Sequence, residues 1–120
     1  MDIDWSRDEH LCHMFYTFIQ NWEQDVPRLK LNLTWYTHPN TVVLNQIIVP
    51  RRFRNKGIGT KIIKELKTLA NKFKFNIALT PSEDFGGNED RLRTWYRSLG
   101  FKTSRIGGLW EELAYRFRKR

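Results

Sequence analysis

The sequence is poor in cysteine and in long apolar runs, and each shortage excludes a class of protein. Its single cysteine, Cys12, cannot form a disulfide within the chain. The longest strictly aliphatic runs, such as residues 47–49, fall far short of the ~20 residues that cross a bilayer. Residues 1–20 carry charges where a signal peptide needs an apolar stretch. We therefore expect an intracellular, cytoplasmic protein with no membrane segment.

Side chains that bind metals are also scarce. His10 and His13 share one face of a predicted helix and lie close to Cys12 in the sequence. A third ligand group is missing nearby, and zinc sites usually need about four ligands. We interpret these residues as ordinary helix positions and predict no metal site.

Aromatic and basic residues are plentiful. The chain has 120 residues, of which 40% are apolar and 14% aromatic, enough for one compact domain. We divide that domain into an N-terminal helical segment (1–27), a core (28–117) and a basic tail (118–120). The net charge of +8 favours polyanionic ligands such as nucleic acid, phosphorylated cofactors or anionic membrane surfaces.

Apolar periodicity predicts eight elements in a single α/β domain with a mixed sheet. Three helices are predicted at residues 8–22, 57–74 and 89–99. Strands are predicted at residues 28–37, 42–49, 75–79, 101–106 and 113–117. The strand at 42–49 is almost uncharged, as expected of a strand covered on both faces, and the crossover through 57–74 predicts parallel pairing with 75–79.

The loop after the strand at 42–49 predicts an anion site. It leads into Gly57 and Gly59 at the first turn of a long helix, where unpaired backbone N–H groups and the positive end of the helix dipole converge. The cations Arg54 and Lys56 add donors, so a pyrophosphate fits well. The spacing matches neither a dinucleotide fingerprint nor a P-loop. An alternative interpretation is that the glycines only permit a tight turn.

Two motifs in this region resemble the GNAT family of N-acetyltransferases. Residues Arg54–Gly59 match the family's Arg/Gln-x-x-Gly-x-Gly/Ala pattern after a central strand. Tyr96 is followed four residues later by Gly100 and Phe101, which is a second family signature. The resemblance covers residues 29–117, and the segment 79–87 is similar to small phage-encoded members. It implies a GNAT-like acyl-CoA N-acyltransferase fold, reduced at its N-terminus.

The resemblance also implies a co-substrate, acetyl-CoA, and the residues that bind it. Amides at the end of the central strand bind the acetyl carbonyl and pantetheine arm in this family, and they correspond to Ile47, Ile48 and Val49. The pyrophosphate amides correspond to Arg54, Asn55, Lys56, Gly57, Ile58, Gly59 and Thr60. Asn88 corresponds to an asparagine near the start of the next helix. Tyr96 corresponds to the family tyrosine that protonates the leaving thiolate.

The implied reaction is direct acetyl transfer to a primary amine. It needs a base for the amine, and the sequence departs from the family where a glutamate is common on the central strand. The candidates that replace it are Glu83, Asp84, His38, or a water held by Asn45 or Gln46.

Two other functions are compatible with the sequence. One is a basic nucleic-acid-binding module, in which stacking would involve Trp35, Tyr36, Trp95, Trp110 and Tyr115. The other is a catalytically silent fold that binds a protein partner or a second copy of itself through Trp5, Trp22 and Trp110. A homodimer would complete an acceptor site that the reduced N-terminus leaves open.

Overall fold

A computed structural model describes residues 5–81, 89–103, 106 and 111–118. It contains three helices, α1 (Trp5–Asp25), α2 (Ile58–Phe73) and α3 (Glu89–Ser98). The strands are β1 (Lys30–Tyr36), β2 (Thr41–Ile48), β3 (Asn76–Leu79), β4 (Lys102–Thr103) and β5 (Leu113–Tyr115), with a 3-10 turn at Arg51–Phe53. The predicted mixed α/β class and the order of elements are confirmed.

The five strands form one mixed sheet in the order β1-β2-β3-β5-β4. Only β2 and β3 are parallel, and every other neighbouring pair is antiparallel. Helix α2 connects these two parallel strands, as the crossover pattern predicted. The carboxyl ends of β2 and β3 therefore lie at the same edge of the sheet.

The last strand is shorter than predicted. Alternating apolar residues predicted strands over 101–106 and 113–117, and β5 extends over three residues only. β4 is described over two residues, Ile106 forms an isolated bridge, and residues 104–105 lie outside the described residues. Trp110 and the last two residues of the basic tail lie outside the described residues.

A β-bulge interrupts the pairing of β1 with β2. Asn32 pairs with Gln46 and Leu33 pairs with Leu44, so Asn45 is an extra residue in β2. The Asn45 Nδ2 donates hydrogen bonds to Asn32 Oδ1 at 3.0 Å and to Thr34 Oγ1 at 2.6 Å. Asn45 is exposed, so the prediction that both faces of this strand are covered is wrong at this residue, and Gln46 is half-buried.

The bulge changes which side chains of β2 face the core. In an unbroken strand, Leu44 would share a face with residues 46 and 48. The extra residue instead brings Ile47 and Val49 into the same apolar cluster as Val42 and Leu44. The end of β2 therefore presents apolar side chains on the side where α2 begins.

Aromatic rings join α1 to the sheet. Phe15 of α1 lies with its ring centroid 5.7 Å from that of Trp35 and 5.1 Å from that of Phe75. Phe75, between α2 and β3, is fully buried. Three elements distant in sequence therefore depend on one aromatic cluster for their packing.

Among the described residues, no helix is long and apolar enough to cross a membrane. Within the same residues, no three potential metal ligands from His, Cys, Asp and Glu come together.

We expect Phe75→Ala to lower the free energy of unfolding by about 3–5 kcal/mol, because it leaves a cavity at the aromatic cluster. Urea denaturation at 25 °C measures the change. Tyr16→Ala is the matched control, since Tyr16 is 60% exposed on α1 and its loss should cost less than about 0.5 kcal/mol. Equal losses in both variants would contradict the role of the cluster.

Candidate functional site

A cleft of about 370 Å³ lies where β2 ends, α2 begins and α3 passes over both. Its walls come from three stretches of sequence: the end of β2, the loop with the first turn of α2, and α3. The lining residues are Ile47, Val49, Phe53, Arg54, Asn55, Gly57, Ile58, Gly59, Thr60, Leu92, Trp95 and Tyr96.

The cleft opens because β2 and β3 stop pairing. Their parallel ladder runs from Thr41–Asn76 to Val43–Ala78, although β2 continues to Ile48. This end of β2 still pairs with β1, through Ile47–Leu31 and Ile48–Lys30. Among the described residues, the side that faced β3 has no further ladder partner, so its N–H and C=O groups are available to other partners. The end of β2 is therefore suited to bind an extended ligand through its backbone.

The N-terminus of α2 supplies donors for an anion. The first hydrogen bond of the helix runs from Lys61 N–H to Gly57 C=O at 3.0 Å, and no side chain caps the helix. The N–H groups of Ile58, Gly59 and Thr60 therefore have no acceptor within the helix. All three residues line the cleft, at the positive end of the helix dipole.

The local structure also favours glycine at both positions, Gly57 and Gly59. Gly57 has a φ of 75°, a left-handed conformation that side chains disfavour. A Cβ on Gly59 would lie 3.3 Å from Cη2 of Trp95, which is tight. The tight-turn interpretation therefore holds for Gly57, whereas Gly59 lies within α2 and leaves room for the Trp95 ring.

Arg54, one of the two predicted cations of the basic loop, lines the cleft. Its Nε donates to the carbonyl oxygen of Val49 at 2.9 Å, so this part of the guanidinium holds the loop against the end of β2. Lys56 does not line the cleft, and its Nζ lies 5.9 Å from the ring centroid of Phe53. The main donors facing the cleft are thus the backbone amides of α2, which the helix geometry orients.

Tyr96 is buried at the inner wall of the cleft. Its ring centroid lies 4.7 Å from that of Trp95 and 5.5 Å from that of Phe101. Burial raises the pKa of its phenol above the ordinary value. The side chain is therefore neutral at physiological pH and retains a proton that it can donate.

Trp95, Phe53 and Leu92 are cleft residues that the sequence analysis did not assign to the site. Trp95 packs over Gly59, and its Nε1 donates to Thr60 Oγ1 at 3.2 Å, which connects α3 to the first turn of α2. Helical periodicity on α3 indicated only that Trp95 and Leu92 were apolar. It could not show which helix they contact.

An ion pair holds α3 against the sheet. Arg93 donates from Nε to Glu112 Oε2 at 2.6 Å and from a terminal nitrogen to Oε1 at 2.9 Å. The hydrogen bonds from Arg93 hold the pKa of Glu112 below its ordinary value. Since Arg93 lies between Leu92 and Trp95, this contact positions the wall of the cleft.

The remaining predicted residues lie elsewhere. His38 precedes β2 at the opposite end from Val49, and the eight residues of β2 span about 25 Å, too far for a base at this cleft. Ile48 lies at the end of β2 but does not line the cleft. Three predicted residues, Glu83, Asp84 and Asn88, lie outside the described residues.

Comparison with known proteins gives one family match. A model of the acetyltransferase (GNAT) family matches residues 4–101. The match includes both motifs and also α1, which the resemblance from motifs left out. A search of curated proteins finds no match to this sequence.

We expect Glu112→Gln to lower the urea midpoint at neutral pH, because it removes the charge that binds Arg93. The pKa of Glu112 is lowered by folding, so its contribution is fully present above the ordinary carboxyl pKa of about 4.3. That contribution is lost as the pH falls through the lowered pKa. The difference in urea midpoint between wild type and variant should therefore become smaller at acidic pH.

Urea titrations at several pH values between neutral and acid measure that difference. Glu23→Gln, on an exposed position of α1, is the control for removing a carboxylate. A difference for Glu112→Gln that is independent of pH would contradict the prediction.

Proposed function

This chain belongs to the GNAT acetyltransferase family, and we propose that it transfers an acetyl group from acetyl-CoA directly to a primary amine. The observation that carries the proposal is the meeting of three features in one cleft. These are the end of β2 beyond its ladder with β3, the uncapped amides of α2 and the buried phenol of Tyr96.

The donor set fits the chemical groups of acetyl-CoA. The amides of Ile58, Gly59 and Thr60 suit a pyrophosphate, as helix N-termini do in general. The backbone at Ile47 and Val49, on either side of Ile48, suits the pantetheine arm, because an amide-bearing chain can pair with a strand end as a further strand would. Arg54, Asn55 and Gly57 also line the cleft, and we propose that residues 54–60, Lys56 included, form the pyrophosphate loop.

Acetyl-CoA supplies a thioester, an acyl group activated for attack by an amine. Val49 N–H is our candidate donor to the developing negative charge on the carbonyl oxygen. Tyr96 is our candidate acid, which gives its proton to the departing thiolate as the C–S bond breaks. Cys12 is exposed on α1 and belongs to neither motif, which favours direct transfer over an acetyl-cysteine intermediate.

The acceptor amine must be neutral to attack. We propose that a water held by Gln46 or Asn45, or the carboxylates of Glu83 or Asp84, takes its proton. Asn45 Nδ2 already donates to two side chains of β1, which leaves its oxygen for such a water. The net charge of +8 favours acceptors in neutral or acidic surroundings over polyamines. We further propose that the protein acts in the cytoplasm, with a second copy completing the acceptor site.

We expect Gly57→Glu to weaken acetyl-CoA binding more than about tenfold, equivalent to about 1.4 kcal/mol, because a carboxylate at the loop repels the pyrophosphate. Isothermal titration calorimetry at physiological salt measures the affinity. Gly57→Asn is the control, since asparagine tolerates the left-handed conformation and adds no charge. Unchanged affinity in Gly57→Glu would overturn the cofactor assignment.

We expect Tyr96→Phe to lower kcat by about 100-fold, the usual contribution of a positioned acid, while acetyl-CoA affinity changes less than about twofold. Steady-state release of free thiol with a panel of amine acceptors measures kcat, and calorimetry measures affinity. Tyr36→Phe is the control, since Tyr36 is 40% exposed on β1. An unchanged kcat would remove Tyr96 from the mechanism.

A further inference from the structure

A second cavity, of about 470 Å³, lies between α2 and the β4–β5 edge of the sheet. Four of its lining residues are cationic, and none of the described lining residues is acidic. The lining residues are Lys67, Gly100, Lys102, Thr103, Ala114, Tyr115, Arg116 and Arg118. Cations gathered around a concave surface raise the local concentration of anions.

Lys67 lies at the inner end of this cavity. Its Nζ donates to the carbonyl oxygen of Leu99 at 2.5 Å and lies 4.9 Å from the ring centroid of Tyr115. A Cβ on Gly100 would lie 3.5 Å from the same Nζ, so the loop after α3 passes close to the ammonium. A carbonyl and a ring thus position this cation, and the ammonium has donors left for an anion.

Lys67 is partly buried and lies near other cations, and both conditions act on its pKa. Burial lowers the pKa of Lys67, and repulsion from Arg118 and Lys64 lowers it further. A bound anion would offset that repulsion. The chain thus keeps several cations close together where their mutual repulsion opposes folding.

The C-terminal segment is held beside this cavity. The backbone N–H of Arg118 donates to Asn71 Oδ1 at 2.9 Å, and the same oxygen accepts a bond from the Tyr115 hydroxyl at 3.0 Å. These bonds join residues 115–118 to α2. Arg116 and Arg118 are therefore carried by an ordered segment and not by a free tail.

The second cavity is separate from the cleft of the proposed function. Tyr115 pairs with Ile77 near the start of β3, whereas the cleft lies at the carboxyl ends of β2 and β3. The two sets of lining residues have no member in common. An anion in the second cavity would not occupy the site proposed for acetyl-CoA.

We propose that this cavity is a phosphate-binding site, lined by Lys67, Lys102, Arg116 and Arg118. Phosphate carries the compact negative charge and the several acceptor oxygens that converging ammonium and guanidinium donors match. The phosphate comes either from a nucleic-acid backbone or from a small free phosphate. The proposal goes beyond acetyl transfer and does not depend on it, because binding is tested without acetyl-CoA.

Nuclear magnetic resonance of the full chain locates the binding. Inorganic phosphate is titrated against chloride at constant ionic strength, and a short oligouridylate RNA is titrated separately. We expect saturable amide shifts at Gly100, Lys102 and Thr103, with amides of Gly57–Thr60 reporting binding in the first cleft. Shifts with phosphate or with RNA support the site and identify the source of the phosphate. Saturable shifts confined to Gly57–Thr60, or none, overturn it.

Two charge-reversal variants distinguish binding at this cavity from a general effect of the protein's net charge. Lys102→Glu lies in the cavity on edge strand β4, and Lys30→Glu is its control, an exposed lysine on edge strand β1. For whichever probe binds, we expect Lys102→Glu to weaken binding about fivefold or more and Lys30→Glu less than twofold. With RNA, each lost phosphate contact should reduce the salt slope by about 0.7. Equal losses in the two variants overturn the proposal.

Arg118→Gln is a second variant, milder than a charge reversal. It leaves the backbone N–H that binds Asn71 in place, so the segment stays attached to α2. We expect it to weaken binding of the same probe about twofold or more without lowering the urea midpoint, because it also relieves repulsion with Lys67. Undiminished binding in both Arg118→Gln and Lys102→Glu would contradict the site.

Discussion

Parallel pairing of β2 with β3 ends at Val43, and the rest of the site depends on that limit. Soon after it, the bulge at Asn45 returns Ile47 and Val49 to the apolar side of the strand. A strand that left its neighbour without this shift would present different side chains at the junction with α2. The bulge thus links the packing of the core to a strand end that pairs with β1 and no longer with β3, and the cleft forms at that end.

Helix α3 closes the cleft through contacts distant in sequence. Trp95 packs on Gly59, and its indole N–H bonds to Thr60, so the second motif lies directly against the first. Arg93 and Glu112 connect the same helix to the sheet on its other side. The small size of Gly59 therefore serves the packing of α3 on α2 at the wall of the cleft.

Charge is distributed in two different ways over the molecule. The donors that face the cleft are mainly backbone amides. The guanidinium of Arg54 also lines the cleft, but its Nε binds the carbonyl oxygen of Val49 at the end of β2. At the second cavity, the donors are long cationic side chains from α2, β4 and the segment after β5. Amides fixed by a helix suit a ligand of one defined shape. Long cationic side chains suit a phosphate group, either in a nucleic-acid backbone or free.

Sequence by itself determined the elements and the location of the first motif. Apolar periodicity placed all three helices, because a helix face is a local pattern, and the two glycines marked the turn into α2. Tertiary structure decided the rest. Local pattern could not show the extra residue at Asn45, the bond from Arg54 to Val49, or the contact of Trp95 with Gly59, since each depends on partners that only folding brings together. Periodicity reports which side chains are buried, and long-range packing decides what they touch.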